Sequence, residues 1–234
     1  MVSIIIPSTD KEKHFIEKSL EHIKKSKYKD YEVIIINEGL ERSDQRNIGI
    51  GRSKGDAILI LDSDQYISPC LLSDCVWRMR RGYNALYIPE TIITKGWFGR
   101  LRNWERQFYT GTVVDVPRFV RKSVCPFFDR SMNGPEDADW GNRIPGPRST
   151  SIPCLYHEDN VTLLTYMHKK AYYSQSMKRY HEKWPDDKVL GFKYRCFIIF
   201  LEDGKWKRFI ARPLSALMVM TLIFIRGIVY LCNR

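Results

Sequence analysis

A chain of 234 residues is long enough to bury one substantial core, so one domain with an appendage is expected. It carries 38 Lys and Arg against 27 Asp and Glu, and the net charge of +11 suits a phosphate-bearing ligand or an anionic membrane surface. The basic residues are spread along the chain rather than gathered in one run, which argues against a nucleic-acid-binding protein. The six cysteines form no CxxC pair and no signal peptide precedes the first apolar segment, so we expect reduced thiols in a cytosolic compartment and no zinc site.

The first part of the chain alternates apolar segments with helical ones. Residues 2–6, 31–36 and 57–61 are apolar runs that predict buried strands. Residues 11–27 have apolar side chains at helical spacing, and residues 43–53 predict a second helix. This β-α-β-α-β order implies parallel strands joined by right-handed crossovers, as in a nucleotide-binding half-sheet.

The rest of the chain is less regular. Residues 71–81 predict a helix and residues 85–88 a strand, whereas residues 95–153 are rich in Gly, Pro, Trp and Arg, which is typical of loops around a functional site. Residues 163–183 predict an aromatic and basic helix, and residues 192–201 form a short apolar and aromatic stretch.

Residues 214–232 form an apolar run of 19 residues interrupted by one charge, Arg226. This length is close to the roughly 20 residues that cross a bilayer. The segment could span the membrane, lie in its plane, or be a buried core helix. Basic residues precede it and only Arg234 follows it, a bias that places the preceding domain on the cytoplasmic side. We expect membrane association, with a domain over residues 1–158, an interfacial helical region over 159–211 and a membrane helix over 212–234.

Two carboxylates, Asp62 and Asp64, follow the third predicted strand with one residue between them. They emerge at the carboxyl end of a buried strand, where open α/β sheets bind their ligands. Hard oxygen ligands at that place suit a divalent cation that holds a diphosphate. A polar turn at the end of a strand is the alternative for so short a motif.

Five segments taken together resemble one family. The segments 2–8, 34–39, 45–49 and 61–64 resemble, in their order and spacing, the family-2 glycosyltransferases of the GT-A fold, and residues 134–140 with Arg143 resemble the Glu-Asp motif of that family. The similarity covers roughly residues 1–160. It implies an α/β fold, a Rossmann-like and mostly parallel sheet flanked by helices, followed by a C-terminal helical region that associates with a membrane.

The resemblance also implies an activity. The protein would move a hexose from a GDP- or UDP-sugar, with Mn²⁺ or Mg²⁺ and with inversion, to a hydroxyl of a lipid-linked acceptor. Asp137 corresponds to the general base, although an acidic first turn of a helix is an alternative reading of that segment. His157 lies where family members often place a third metal ligand beside Asp62 and Asp64, and an imidazole there favours Mn²⁺ somewhat over Mg²⁺. A purely structural histidine is the other possibility.

The remaining candidates fall into three groups. The donor-binding positions are Pro7, Ser8, Thr9, Asn37, Glu38, Arg46, Asp62, Ser63 and Asp64. The positions that orient the acceptor are Glu136, Asp139, Trp140 and Arg143. The candidates for an acceptor phosphate are Arg118, Arg121 and Arg179.

Two departures from the family pattern lie where the nucleotide base would bind. Asn37-Glu38-Gly39-Leu40 replaces the usual Asp-Asp-Gly-Ser, and Thr9-Asp10 replaces an aromatic-Asn pair. The sequence therefore does not indicate which nucleotide base the donor carries. A polyprenyl-phosphate glycosyltransferase and a non-catalytic basic scaffold are alternatives, whereas a nucleotidylyltransferase is disfavoured because residues 7–11 contain no glycine for a phosphate loop.

Overall fold

A computed structural model describes residues 1–9, 13–132 and 134–232 of the chain. The strands are β1 Val2–Pro7, β2 Tyr31–Ile36, β3 Ala57–Ile60, β4 Gln65–Ile67, β5 Ala85–Tyr87, β6 Glu90–Ile93, β7 Phe119–Arg121, β8 Arg148–Thr150 and β9 Leu155–Glu158. The α-helices are α1 Lys13–Lys24, α2 Arg42–Arg52, α3 Leu71–Arg80, α4 Trp97–Arg106, α5 Glu136–Asn142, α6 Leu163–Ser174, α7 Met177–Lys183, α8 Ile199–Leu201, α9 Trp206–Ala211 and α10 Pro213–Cys232. Asp10, one of the residues noted above, lies outside the described part.

The central sheet has six strands in the order β2-β1-β3-β7-β5-β8. β1 runs parallel to both β2 and β3, which confirms the predicted half-sheet. Every residue of β1 and of β3 is buried, because helices cover both faces of a parallel sheet. The ends of these strands therefore open on one edge, beside Ser8 and Asp62.

Alternate residues of the half-sheet enter two cores. Ile4 and Leu59 pack in the larger core, which includes residues of α1 and α3. Ile5, Ile58 and Trp140 pack in the second core, on the other face, between α2 and α5. This alternation is the period of two that a strand imposes on its side chains.

The middle of the chain is more ordered than its composition indicated. Residues 95–153, which we predicted to be mainly loops, include α4, β7, α5 and β8. β7 lies between β3 and β5 and is antiparallel to both. β7 and β8 have three residues each, too few for a periodic pattern, and they become strands by pairing with distant segments.

A second sheet has three strands in the order β4-β9-β6. β9 is antiparallel to β4 and parallel to β6, so that His157 lies opposite Gln65 on one side and Ile92 on the other. This small sheet positions the segment after Asp62 next to β9.

The C-terminal helices pack against the domain rather than away from it. The helix predicted over residues 163–183 is divided into α6 and α7. α10 contacts α4, α6 and α9, and it buries Ala216, Val219 and Leu222 on that side. Its segment Pro213–Tyr230 is long and apolar enough to cross a membrane by length and composition.

Candidate active site

His157 on β9 lies between two carboxylates. Its Nε2 is 3.2 Å from Asp64 Oδ2 and its Nδ1 is 2.6 Å from Glu90 Oε1. Burial lowers the pKa of His157, but Asp64 and Glu90 outweigh that effect and raise it to about 10. Burial also opposes the charge of Glu90, yet Arg106 and the bonded His157 hold the pKa of that carboxyl well below its usual range.

Asp62 is engaged by two arginines. Arg46 Nη2 donates to Asp62 Oδ1 over 3.0 Å, and Arg118 Nη1 donates to Asp62 Oδ2 over 3.3 Å. Although burial disfavours its charge, Arg46 and Arg118 keep the pKa of Asp62 far below its ordinary value. The two carboxylates of the Asp-x-Asp motif therefore have different partners, arginines for Asp62 and His157 for Asp64.

Arg46 also reaches the acidic start of α5. Its Nη1 donates to Asp137 Oδ1 over 2.5 Å and lies 3.8 Å from Glu136 Oε1. Arg46 is 1% exposed, so three carboxylates converge on one buried cation. Burial and the neighbouring Asp137 raise the pKa of Glu136, whereas Arg46 acts in the opposite direction. One guanidinium thus joins the Asp-x-Asp motif to the Glu-Asp motif.

The helix that carries Arg46 is fixed by its neighbours in sequence. Gln45 Nε2 donates to the carbonyl of Ser8 over 2.8 Å, which ties α2 to the end of β1. Asn47 exchanges two hydrogen bonds with the backbone of Phe128. A Cβ at Gly49 would lie 2.3 Å from Ile5 Cγ2, so only glycine allows α2 to approach β1 this closely. Arg46, Asn47 and Gly49 of the Arg-Asn-x-Gly segment therefore have different structural roles.

A cavity of about 200 Å³ lies beside Asp137. Trp140 and Phe128 form one wall, their rings stacked at 4.7 Å between centroids, and the Trp140 indole donates to the carbonyl of Pro126 over 2.7 Å. The charged residues that line it are Arg46, Arg106, Asp115, Arg118 and Asp137. An aromatic wall beside three arginines and two carboxylates suits a polar ligand.

Two of the predicted acceptor-orienting residues do not line this cavity. Asp139 is fully buried and accepts hydrogen bonds from Trp184 Nε1 over 2.9 Å and from Arg143 Nε over 3.0 Å. It also forms an ion pair with Lys183 over 2.7 Å. Asp139 therefore connects α5 to α7 and to the residue that follows α7, and the acceptor-orienting role of Asp139 and Arg143 stays a prediction.

The three arginines proposed for an acceptor phosphate are not together. Arg118 lines the cavity beside Asp62. Arg121 lies opposite Ala57, at the start of β3 and hence at the other end of the sheet, where it donates to Asn84 and to the carbonyl of Met79. Arg179 donates to the carbonyl of Ser131 over 2.5 Å. The structure places only Arg118 at the site.

The donor side is formed by the carboxyl ends of the half-sheet. Pro7 ends β1, and Ser8 and Ser63 are buried beside it, whereas Thr9 is exposed. Asn37 and Glu38 follow β2 and are exposed, with Glu38 paired to Arg52. Thr9, Asn37 and Glu38, three of the residues that depart from the pattern of the resembling family, are therefore exposed at this edge of the sheet.

The side chains present fit a divalent cation in part. Asp64 Oδ2 and His157 Nε2 are 3.2 Å apart, so one ion that displaced the proton from Nε2 could contact both, and Nδ1–H, donated to Glu90, would hold the ring in the tautomer that this requires. Within the described residues, no three His, Cys, Asp or Glu side chains are arranged to hold a metal alone. A cation here would need further oxygen ligands, and a bound diphosphate could supply them.

Sequence patterns did not identify Glu90 and Arg106. Arg106 forms ion pairs with Glu90 at 3.3 Å and with Asp115 at 2.9 Å, so it supports the carboxylate that orients His157. The place of Glu90 follows from the pairing of β6 with β9, which is a long-range contact. The one signal in the sequence was a carboxylate just beyond a predicted strand.

No known protein family matches the sequence, and no curated protein does either. Solved structures do match. Mannosyltransferase PcManGT from Pyrobaculum calidifontis, in complex with GDP-Man and Mn²⁺, superposes with a TM-score of 0.61 at 14% identity, over 99% of this chain and 86% of its own. S. aureus TarS matches with a TM-score of 0.58 at 13% identity, over 89% of this chain.

This chain spans less than half of that TarS chain, 45% of its length. A shorter form, TarS 1–349 in complex with UDP-GlcNAc, matches with a TM-score of 0.53 at 16% identity, over 82% of this chain and 74% of that one. At such identities the likeness shows the fold. The chain has the mixed α/β fold of these glycosyltransferases, with a central sheet rich in parallel strands.

Proposed function

We propose that this protein is a nucleotide-sugar-dependent glycosyltransferase of family 2 that transfers a hexose to a hydroxyl group with inversion. The observation that carries this proposal is the position of Arg46, which holds Asp62 of the donor edge and Asp137 of the acceptor cavity at the same time. The solved structures of similar fold contain GDP-Man with Mn²⁺ in one case and UDP-GlcNAc in another. Both are nucleoside-diphosphate sugars.

The donor would lie along the carboxyl ends of β1, β2 and β3. Its nucleoside would lie near Ser8 and Asn37, and its diphosphate near Asp64 and His157. A divalent cation held by Asp64 and His157 would stabilise the negative charge that the leaving diphosphate acquires. Arg118 lies near enough to contribute a second positive charge on the cavity side.

Asp137 would act as the general base. Its side chain is 39% exposed and lines the cavity, so an acceptor hydroxyl can approach it. As the acceptor oxygen attacks the anomeric carbon, Asp137 takes its proton, and the bond from that carbon to the diphosphate oxygen breaks on the opposite face. The electron pair of that bond leaves with the diphosphate, which inverts the anomeric centre.

We also propose that α10 lies in the plane of a membrane surface. Arg226 on this helix donates to Glu105 of α4 over 2.6 Å and to the hydroxyl of Tyr166 over 3.0 Å, contacts that a helix crossing a bilayer would have to break. The opposite side of α10 exposes four apolar side chains at helical spacing, Leu214, Leu217, Phe224 and Ile228. A helix that is packed on one side and apolar on the other suits the interface.

Metal-dependent binding of the donor is the first test. Calorimetric titration with UDP, GDP and their sugars, with and without Mn²⁺, should show one nucleotide that binds more tightly with the metal. Asp64→Asn and His157→Gln should each remove the metal dependence, whereas Glu21→Gln, on the exposed side of α1, should not. If no nucleotide binds in a metal-dependent way, the proposal is wrong and a non-catalytic scaffold is favoured.

A further inference from the structure

A second cavity, of about 440 Å³, lies away from Asp137 among the C-terminal helices. Its walls come from α6, α7, α10 and the π-helical segment Tyr194–Ile198. Most of the lining is apolar, including Met177, Leu190, Ile199 and Ile223. The volume is within the range of about 300–1,000 Å³ that is usual for cavities that bind small molecules.

Two cations in this lining, Lys170 and Arg195, have no ion pair with the described part of the chain. Glu105, the carboxylate that acts on Lys170, is already paired with Arg102 and Arg226. Lys170 Nζ lies 5.3 Å from the ring centroid of Tyr166 and 5.9 Å from that of Tyr173. Burial, together with nearby Arg102 and other arginines, lowers the pKa of Lys170 to about 7. Partly buried cations without partners favour an anionic ligand.

The cavity shares lining residues with the exposed apolar side of α10 and with the cavity beside Asp137. Phe224 and Ile228 line it and also belong to the exposed apolar side of α10, where they are 68% and 46% exposed. Val114 lines both this cavity and the cavity beside Asp137. An apolar ligand can therefore enter from the proposed membrane side, and the two cavities share Val114 in their walls.

We propose that this cavity binds the hydrocarbon chain of an anionic lipid whose phosphate group is held by Lys170 and Arg195. The apolar lining would contact the hydrocarbon chain, and the two unpaired cations would bind the phosphate. The opening at Phe224 and Ile228 would let the lipid enter from a bilayer. That this lipid carries the sugar acceptor is an inference that rests on the proposed function. Binding of the lipid in this cavity does not depend on the proposed function.

Binding of dodecyl phosphate to the full-length protein, below its micellar concentration, tests the charge requirement. Dodecyl maltoside, with a neutral headgroup, and inorganic phosphate, without a chain, are the matched probes. We expect dodecyl phosphate to bind at least tenfold more tightly than either. The double variant Lys170→Met with Arg195→Gln should lose about tenfold of that affinity. Equal binding of dodecyl maltoside, or of inorganic phosphate, would overturn the proposal.

A cavity-filling variant tests the place of binding. Gly227 lines the cavity on α10, and a Cβ there meets no atom within 4 Å, so Gly227→Leu adds bulk without a clash at Cβ. Gly51, on α2, is equally open and lies outside the cavity, so Gly51→Leu is the matched control. We expect Gly227→Leu to lose dodecyl phosphate binding and Gly51→Leu to keep it. If both variants bind as the wild type does, the lipid binds elsewhere.

The same variants distinguish a failure of the lipid site from a failure of the proposed glycosyltransferase function. Binding of the nucleotide with Mn²⁺ should be unchanged in Gly227→Leu and in the double variant, which also shows that both are folded. Nucleotide binding without lipid binding would overturn the lipid site alone. Lipid binding that Gly227→Leu abolishes, in a protein that binds no nucleotide, supports the lipid site and contradicts the glycosyltransferase.

Discussion

Arg46 donates a 2.5 Å hydrogen bond to Asp137 across 91 positions of the sequence. The second terminal nitrogen of the same guanidinium holds Asp62. Because a guanidinium is planar and rigid, it fixes the positions of the two carboxylates relative to each other. The donor edge of the sheet and the acidic start of α5 are thereby coupled.

Asp137→Asn should reduce transfer to a hydroxyl acceptor by about 10²–10⁴-fold, because the amide cannot accept the proton. Binding of the donor should change little, since Asp137 lies on the acceptor side. Initial rates with a labelled nucleotide sugar would measure this, with Glu182→Gln on α7 as the control.

The acceptor in that assay decides between two activities. A polyprenyl phosphate attacks through an oxyanion that needs no base, so it would keep near-normal rates with Asp137→Asn. If a hydroxyl acceptor also reacts normally with the variant, Asp137 is not the base.

Arg46→Met should destabilise the protein by on the order of 3 kcal/mol, because among the described residues it leaves Asp62 with one ion-pair partner, Arg118, and Asp137 with none. Arg130→Met is the matched control, since Arg130 pairs with Asp44 from a largely exposed position. Its effect should stay below about 1 kcal/mol. Urea unfolding at neutral pH would measure both, and similar losses would contradict the central role of Arg46.

Glu90→Gln should weaken Mn²⁺ binding by about 10–100-fold without removing a metal ligand, because Glu90 orients His157. Free Mn²⁺ counted by electron paramagnetic resonance, in the presence of the nucleotide that binds, would measure it. Glu158→Gln, on the same strand and paired with Lys18, is the control and should bind Mn²⁺ as the wild type does. An unchanged affinity in Glu90→Gln would show that His157 is not a ligand.

Gly49→Ala should destabilise the protein by about 1–3 kcal/mol, because its Cβ overlaps the side chain of Ile5 between α2 and β1. Gly51→Ala, two residues further along the same helix, meets nothing and should stabilise the protein by up to about 1 kcal/mol. Thermal unfolding of the two variants gives opposite shifts if α2 packs as described. A gain in stability for Gly49→Ala would show that it does not.

The half-sheet and its helices were predictable because their signals are local. β1 and β3 are continuous apolar runs, and α2 contains a motif whose parts lie within five residues. The residues brought to the site by distant pairing were not predictable. Glu90 meets His157 only because β6 pairs with β9, and Asp139 turns toward Trp184 only because α7 packs on α5.

The same distinction explains the arginines. Arg118 and Arg121 lie three residues apart in one segment, and the sequence does not indicate which of them lies at the site. β7 runs antiparallel to β3, so Arg118 emerges beside Asp62 while Arg121 lies at the opposite end. The direction of a three-residue strand, which is a property of the folded sheet, decides which of them can act.

Lys170 gives a prediction for pH. Burial lowers its pKa most, and Arg102 of α4, Arg226 of α10 and Arg195 of the π-helical segment add to this effect against Glu105, so the pKa of Lys170 falls from 10.5 to about 7. Between these values the unfolded chain binds a proton at Lys170 that the folded protein has released. The free energy of unfolding should therefore rise with pH across this interval, and the destabilising effect of the buried charge should be complete below about pH 7.

Lys170→Met removes that titration, so the stability of the wild type relative to Lys170→Met should increase from about pH 6 to about pH 10. Urea unfolding at several pH values measures the difference. Lys169→Met, at the exposed neighbouring position, should follow the wild type. An anion bound at Lys170 stabilises its protonated form, so dodecyl phosphate should flatten the dependence in the wild type more than in Lys170→Met. Parallel profiles for the wild type and Lys170→Met would show that Lys170 keeps an ordinary pKa in the folded protein.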